Sequence, residues 1–271
     1  MNILEVRVDS VTQKDAVNKI LDWTQKKQKA MVVTVNPEII ISAQKDPQYK
    51  KLLNSADLSL ADGIGVLWAA NFYQYVTESK HKNRLFLWIA AFVIGGKTFI
   101  SAKYRTKTLP QQVSGSNIVY DLANQDQASL FLLGEKEGIA EKAADKLRQD
   151  YPLIRIAGTY AGNGSPLGDR EAREYLKDKP SDLILVAYGA PKQERWIERN
   201  LAYIPAAVGI GVGGTFRFLA GDIRRAPNWV QRAGLEWLFR LILEPWRWRR
   251  QMSLPQFILL VIRDNIKKTQ Q

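Results

Sequence analysis

A chain of 271 residues with no cysteine has no disulfide, no thiolate nucleophile and no cysteine-ligated zinc, yet it is long enough to bury a sizeable core. Its single histidine, His81, leaves few conventional metal sites and no histidine-centred triad, so acid–base chemistry falls to carboxylates, with Tyr and Lys as outsiders. The net charge of +12 is confined to two segments: residues 78–108 carry seven basic and one acidic side chain, residues 222–271 carry ten and four, and the rest of the chain cancels.

The opening MNILEVRV is interrupted by charge and followed by no apolar run, so it does not read as a signal peptide and a cytoplasmic protein is expected. Residues 12–27 place Ala16, Ile20 and Trp23 on one helical stripe with Val17 beside it, and Thr12 with Asp15 makes a capping box. Residues 30–36 (AMVVTVN) form a β-branched run that ends in an Asn-Pro turn, which reads as a buried strand. Pro37 then opens a helix over residues 37–43. Residues 58–61 read as a strand that stops at Asp62-Gly63.

Residues 85–102 (LFLWIAAFVIGGKTFISA) break the rhythm. This apolar run is flanked by Lys80, Lys82 and Arg84 before it and by Lys103, Arg105 and Lys107 after it. A spanning helix needs about 20 apolar residues, and only about ten precede Gly95-Gly96. A shallow interfacial or hairpin insertion is therefore expected, against the alternative of an added core helix or dimer contact.

Strand–helix alternation then resumes. Strands are expected at residues 129–133, 154–157, 182–188 and 206–210, and helices at 138–150, 169–177 and 192–200. That order predicts an α/β fold, a mostly parallel sheet with helices on both faces, whose ligands lie beyond the carboxyl ends of the strands. Asn36, Asp62, Gly134, Gly189 and Gly211 all fall at such ends. In the last fifty residues, arginines and tryptophans alternate through Glu244-Pro-Trp-Arg-Trp-Arg-Arg250, and Phe257-Ile-Leu-Leu-Val-Ile262 follows. Guanidinium forks bind phosphate in pairs of bonds, and tryptophan settles at the lipid–water boundary. Both basic segments are also the most aromatic and apolar parts of the chain, which favours an anionic membrane surface over nucleic acid as partner.

Among residues that carry chemistry, Asp62 is the leading carboxylate, since a strand end followed by glycine exposes its side chain; the plain alternative is an Asp-Gly turn. Thr34 and Asn36 end the neighbouring strand and offer hydrogen bonds to sugar hydroxyls or a base. Gly209-Ile-Gly-Val-Gly-Gly-Thr215, which contains Gly211 and Gly213, reads either as a nest of amides around phosphate or as a ligand-free crossover. Its glycine spacing does not match a dinucleotide fingerprint, which argues against an oxidoreductase. Pro191 at a helix start would aim amides, with Lys192 and Gln193, at an anion.

Read together, the chain resembles the WecG/TagA/CpsF glycosyltransferases (glycosyltransferase family 26). The resemblance rests on Thr34-Val-Asn-Pro-Glu38, Ala61-Asp-Gly-Ile-Gly65, Gly189-Ala-Pro-Lys-Gln-Glu194 and Gly211-Val-Gly-Gly-Thr-Phe216. It continues through Arg225-Ala-Pro227, Gly234-Leu-Glu-Trp237, Arg240 and Glu244-Pro245. It implies a Rossmann-like domain over residues 1–221 and a C-terminal helical appendage over residues 222–271 that closes over the site at the inner face of the cell membrane; the basic apolar stretch at about residues 72–108 departs from the pattern as an insertion, read as added membrane contact or, in competition, as altered acceptor specificity. The implied reaction moves an N-acetylmannosamine-type sugar from a UDP donor to a polyprenyl-diphosphate-linked N-acetylglucosamine, with inversion and without an essential metal or cofactor. By motif, Asp62 matches the general base, Thr34 and Asn36 active-site polar residues, Gln193 a substrate-binding glutamine, and Arg240, Arg247 and Arg250 the appendage arginines that hold diphosphate. These three are spaced seven and three apart, a shared helix face unless Pro245 breaks the helix.

The sequence departs from that family at Gln112-Val-Ser-Gly-Ser-Asn117, where the family reads Arg-Val-x-Gly-x-Asp. Arg105 or Lys107 are the candidates to replace the lost charge. The substitution also keeps open a different class, a non-catalytic membrane-bound nucleotide-sugar binding or scaffold protein. A homo-oligomer is compatible with either.

Overall fold

A computed structural model describes residues 1–79 and 83–268; Lys80, His81 and Lys82 lie outside the described residues. The chain opens with an antiparallel pair, β1 (Asn2–Ile3) and β2 (Val6–Arg7). Next come α1 (Gln13–Gln25), β3 (Ala30–Val35), α2 (Pro37–Lys45), α3 (Pro47–Ser55), β4 (Leu58–Ala61), α4 (Ile64–Glu78), α5 (Arg84–Ile100), α6 (Ala102–Arg105) and α7 (Gly115–Asn124). The second part holds β5 (Ser129–Gly134), α8 (Ile139–Asp150), β6 (Arg155–Tyr160), α9 (Asp169–Lys177), β7 (Leu183–Ala187), α10 (Lys192–Asn200), β8 (Val208–Gly211) and α11 (Thr215–Leu219). The chain ends in α12 (Asn228–Arg232), α13 (Glu236–Leu243), a 3-10 turn (Pro245–Arg247), α14 (Trp248–Gln251) and α15 (Ser253–Lys268).

Six strands form one sheet in the order β4-β3-β8-β7-β5-β6, parallel throughout. The expected α/β fold is therefore what the chain adopts. The four inner strands, and the edge strand β4, are buried along nearly their whole length because parallel strands are covered on both faces. One buried cluster lies under α2, α3, α4 and α10, around Ile40, Leu53, Phe72 and Trp196. The other lies under α1, α7, α8 and α11, around Ile20, Ile118, Leu147 and Phe216.

Local signals in the sequence account for several boundaries. Thr12 and Asp15 form the expected capping box, with Thr12 Oγ1 accepting from the Asp15 amide at 3.2 Å and Asp15 Oδ2 accepting from the Thr12 amide at 3.1 Å. Asn36 caps α2 through Oδ1, which accepts from the Ile39 amide at 2.9 Å, and Pro37 fills the first helical position, where no amide is needed.

The apolar run at residues 85–102 forms no hairpin. Gly95 and Gly96 sit inside α5, one continuous helix of 17 residues. One face of α5 (Leu87, Ala90, Ile94) is buried against α4, and the Trp68 indole of α4 donates to the Ala91 carbonyl at 3.1 Å. Opposite, Phe92 is 86% and Ile100 89% exposed. Among the described residues no helix is long and apolar enough to cross a membrane. At the C-terminus, α15 buries Phe257, Val261 and Ile262 in the first cluster, packed on α2, α4 and α5.

Candidate active site

The carboxyl ends of the strands open into one cavity of about 1360 Å³. β3 delivers Thr34 and Asn36 to its wall, β4 delivers Asp62, β7 delivers Tyr188, and the turn after β8 delivers Gly213. Gln193 enters from the start of α10, and Arg240, Arg247 and Arg250 enter from beyond residue 221. Eight of the nine site residues expected from the sequence thus share one cavity.

Gly211 is the exception. It lies beneath Gln193, whose Nε2 would sit 2.7 Å from any added Cβ, so its lack of a side chain makes room for Gln193 rather than for a ligand. The turn after it is not an open nest either. Gln193 Oε1 accepts from the Gly213 amide at 3.0 Å, and the Val212 and Thr215 amides bond to Val186 and Val212 carbonyls. Gln193 in turn donates to Glu194 at 2.7 Å, and Tyr49 donates to the other Glu194 oxygen at 3.1 Å. This fully satisfied chain fixes the floor of the cavity.

Thr34 Oγ1 donates to the Gly211 carbonyl at 3.2 Å, tying β3 to β8 while its side chain lines the wall. Asn36 spends Oδ1 on the cap of α2, which leaves its amide group as donor toward the cavity.

Asp62 follows β4, and Gly63 turns the chain into α4 with φ of +95°, a conformation that side chains disfavour. No hydrogen bond to the Asp62 carboxylate forms among the described residues. Half-buried in the cavity wall, the carboxyl is pushed up to about 7, first by burial and then by the charge of Glu236; Arg225 and Arg240 pull the other way. A carboxylate at that value is half ionised at neutral pH, where general-base catalysis is most effective.

The arginines do not share one helix. Pro245 ends α13 before it reaches Arg247, as its missing amide requires, and the chain continues as a 3-10 turn. A single buried carboxylate gathers the guanidiniums instead. Glu244 Oε2 accepts from Arg240 at 3.1 Å and from Arg247 at 3.3 Å, and its Oε1 accepts from Arg217 at 3.2 Å. Burial works against the Glu244 charge, but the Arg240 hydrogen bond and the three guanidiniums outweigh it and hold the carboxyl below its usual range. Arg247, pressed by burial and by the charges of Arg240 and Arg250, is brought down to about 10, still cationic at neutral pH. Arg240 lies against the glycine-rich turn, where a Cβ on Gly214 would meet its guanidinium at 2.9 Å. Arg250 reaches across to Glu38 at the start of α2, 2.7 Å away. An anion placed among these groups gains charge-assisted, forked hydrogen bonds.

Arg217 and Glu244 were missed as site residues. Arg217 stands two residues past the recognised Gly-Gly-Thr, and Glu244-Pro245 was part of the family pattern, so both lay beside motifs already singled out. Arg225 is a third: it donates to Asn117 Oδ1 and lies over the Tyr120 ring at 5.1 Å, near enough to Asp62 to lower its pKa. Asn117, neutral where a carboxylate is usual, therefore still anchors a cation of the site, and Gln112 lines the cavity. Neither Arg105 nor Lys107 supplies a replacement charge. Arg105 donates to the carbonyls of Thr98, Phe99 and Arg232, and Lys107 pairs with Glu78 at 3.8 Å. Among the described residues no group of three or more His, Asp or Glu stands ready to hold a metal ion.

The glycosyl transferase WecG/TagA/CpsF family model matches residues 1–88 and 90–271, so the match runs through the basic apolar segment around α5. The N-acetylglucosaminyldiphosphoundecaprenol N-acetyl-beta-D-mannosaminyltransferase of Bacillus subtilis (strain 168) is 32% identical over 244 residues, covering 88% of this chain and 81% of the relative. Its namesake from Bacillus spizizenii (strain ATCC 23059 / NRRL B-14472 / W23) is 30% identical over 234 residues, covering 86% and 79%. The fold and these matches define an α/β glycosyltransferase. The chain belongs to the WecG/TagA/CpsF family of glycosyltransferases.

Proposed function

We propose that the protein transfers an N-acetylmannosamine-type sugar from a UDP donor to N-acetylglucosamine carried on a polyprenyl diphosphate, a step in cell-surface polysaccharide or teichoic acid synthesis. The observation that carries this reading is one cavity shared by a carboxyl poised at about 7 and a cluster of arginines held by Glu244.

In the reaction, the Asp62 carboxylate takes the proton from the acceptor hydroxyl as that oxygen attacks the anomeric carbon. UDP leaves from the opposite face, so the configuration inverts. Charge grows on the departing diphosphate, and Arg240, Arg247, Arg250 and Arg217 stabilise the substrate diphosphates without a metal; one such oriented donor is typically worth roughly 3–4 kcal/mol. Asn36 and Thr34 position the sugar, and Gln193 keeps the turn after β8 in place. Residues 1–221 act as the catalytic domain and residues 222–271 as the appendage that completes the site. Exposed Trp246, Trp248 and Trp229, with Leu85, Ile89 and Ile100 of α5, rest on an anionic membrane at its inner face, where the basic segments are attracted.

The test is incubation of the purified protein with UDP-N-acetylmannosamine, a synthetic lipid-diphosphate N-acetylglucosamine and a chelator, with the product's anomeric configuration read by NMR. An inverted disaccharide product is expected. UDP-sugar binding with no turnover across several acceptors would instead support a non-catalytic binding protein, the alternative raised by Gln112 and Asn117.

A further inference from the structure

One wall of the cavity does not fit the polar chemistry of its floor. Trp88, Ala91, Phe92, Gly95, Gly96 and Phe99 all line it, with spacings of 3, 1, 3, 1 and 3, one face of α5. This stripe borders the face buried against α4, meeting it at Ala91 and Gly95 beside Trp68. No position in the stripe carries a charge, a hydroxyl or an amide, which is unsuited to a sugar or a nucleotide and suited to hydrocarbon. Across the cavity, α15 contributes Leu254, Pro255 and Ile258. The wall is held in place by the Trp68 indole bonded to Ala91 and by the edge-on contact of Trp68 with Phe257 of α15.

The stripe carries the aromatic rings of Trp88, Phe92 and Phe99 and is bare at Gly95 and Gly96. A Cβ built on Gly96 meets nothing within 4 Å, whereas one on Gly95 faces the Trp68 ring at 3.6 Å. Glycine inside a helix is unfavourable relative to alanine by about 1 kcal/mol, and packing against neighbouring protein atoms does not account for Gly96. From Trp88 to Phe99 the stripe runs about 17 Å at 1.5 Å per residue, enough for the first few isoprene units of a long chain.

We propose that α5 and α15 form a slot for the head-proximal isoprene units of the lipid acceptor, with Gly96 keeping its middle open. This rests on the lipid-linked acceptor proposed above. The slot is continuous with the arginine cluster, so an acceptor whose diphosphate sits at the arginines carries its hydrocarbon into the same cavity, and the exposed outer face of α5 leads the remainder toward the bilayer. Recognition of the acceptor thus has two parts, ionic at the arginines and apolar along α5. A soluble sugar diphosphate meets only the first.

Two measurements test this on the full chain in detergent micelles. First, an isoprenyl diphosphate bearing a photoreactive group on its second or third isoprene unit is crosslinked to the protein and the labelled peptides are mapped. Label on α5 and α15, reduced at least tenfold in Gly96→Trp and retained in Gly96→Ala, is the expected result. Label elsewhere, or label on α5 that Gly96→Trp does not reduce and that a photoreactive lipid without diphosphate reproduces, would mean general bilayer contact and overturn the slot. So would loss of a dimer on Gly96→Trp without any label on α5, which would make the stripe a contact between copies. Second, kcat/KM is compared for a long-isoprenoid acceptor and an acceptor with a short alkyl chain. Gly96→Trp is expected to lower the long-to-short ratio at least tenfold, with melting unchanged, and an unchanged ratio overturns the slot. Crosslinking needs no turnover, so labelled α5 in a protein that transfers no sugar would uphold the slot while removing the proposed reaction.

Discussion

At the scale of single residues, the chemistry of the cavity turns on how Asp62 and Glu244 are charged. Asp62 must be ionised to accept a proton, and its carboxyl is raised to about 7 by burial and Glu236. The rate is therefore expected to fall as pH drops through about 7, instead of near the ordinary aspartate value of about 4. A kcat/KM profile flat down to pH 5 would contradict this. The stability linkage has the opposite sense. A carboxyl whose folded pKa lies above its unfolded value binds its proton more tightly when folded, so its contribution is favourable at low pH and is lost as pH rises from about 4 through 7. Asp62→Asn is accordingly expected to be more stable than the parent above pH 7, by at most about 4 kcal/mol, as read from denaturant unfolding. Glu244→Gln keeps the shape but removes the charge that gathers Arg217, Arg240 and Arg247. It is expected to raise KM for the diphosphate acceptor about tenfold and to cost about 1–3 kcal/mol of stability, whereas a bystander carboxylate would change neither. Asp62 was legible in the sequence because a strand end, a glycine and a lone acid coincide within four residues. Arg217 and Glu244 meet across 27 positions, a contact that no local pattern announces.

At the scale of elements, strands and amphipathic helices were read closely, and α9 and α10 have the bounds that periodicity implied. β1, β2, α3, α4, α6, α7 and α11 were not expected from the sequence. In α4 the reason is physical: it is buried on nearly every side, and a helix apolar all round has no stripe to detect. The same property misled the reading of α5, where Gly95-Gly96 suggested a turn. Burial on α4 and the indole bond from Trp68 keep it helical at a cost of about 1 kcal/mol per glycine. Its outer face gives the membrane prediction. Replacing Leu85, Ile89 and Ile100 together with serine is expected to weaken co-sedimentation with anionic vesicles at least tenfold, since burying each such side chain is worth about 1.5–3 kcal/mol. Binding that stays unchanged would shift membrane contact to the tryptophans of the C-terminal segment.

At the scale of the whole molecule, the C-terminal segment both completes a site and closes a core. Its arginines face Asp62 across the cavity, and Phe257, Val261 and Ile262 of α15 belong to the same buried cluster as Ile40 and Phe72. A chain ending near residue 221 is therefore expected to uncover apolar surface on α2 and α4 and to self-associate, as sedimentation would show. Loss of vesicle binding in that shortened chain would not by itself identify a membrane anchor. The parallel sheet and the position of the cavity at its carboxyl edge follow from strand–helix alternation in the sequence. The convergence of two distant segments on one buried glutamate does not. The central claim is that Asp62 is the base in a cavity completed by those arginines. It is tested most directly by sugar transfer from UDP-N-acetylmannosamine to the lipid-diphosphate acceptor at pH 7.5, with the parent and Asp62→Asn side by side. A folded variant that binds UDP and transfers at least ~10²-fold more slowly is expected; transfer at the parent's rate would exclude Asp62 as the base.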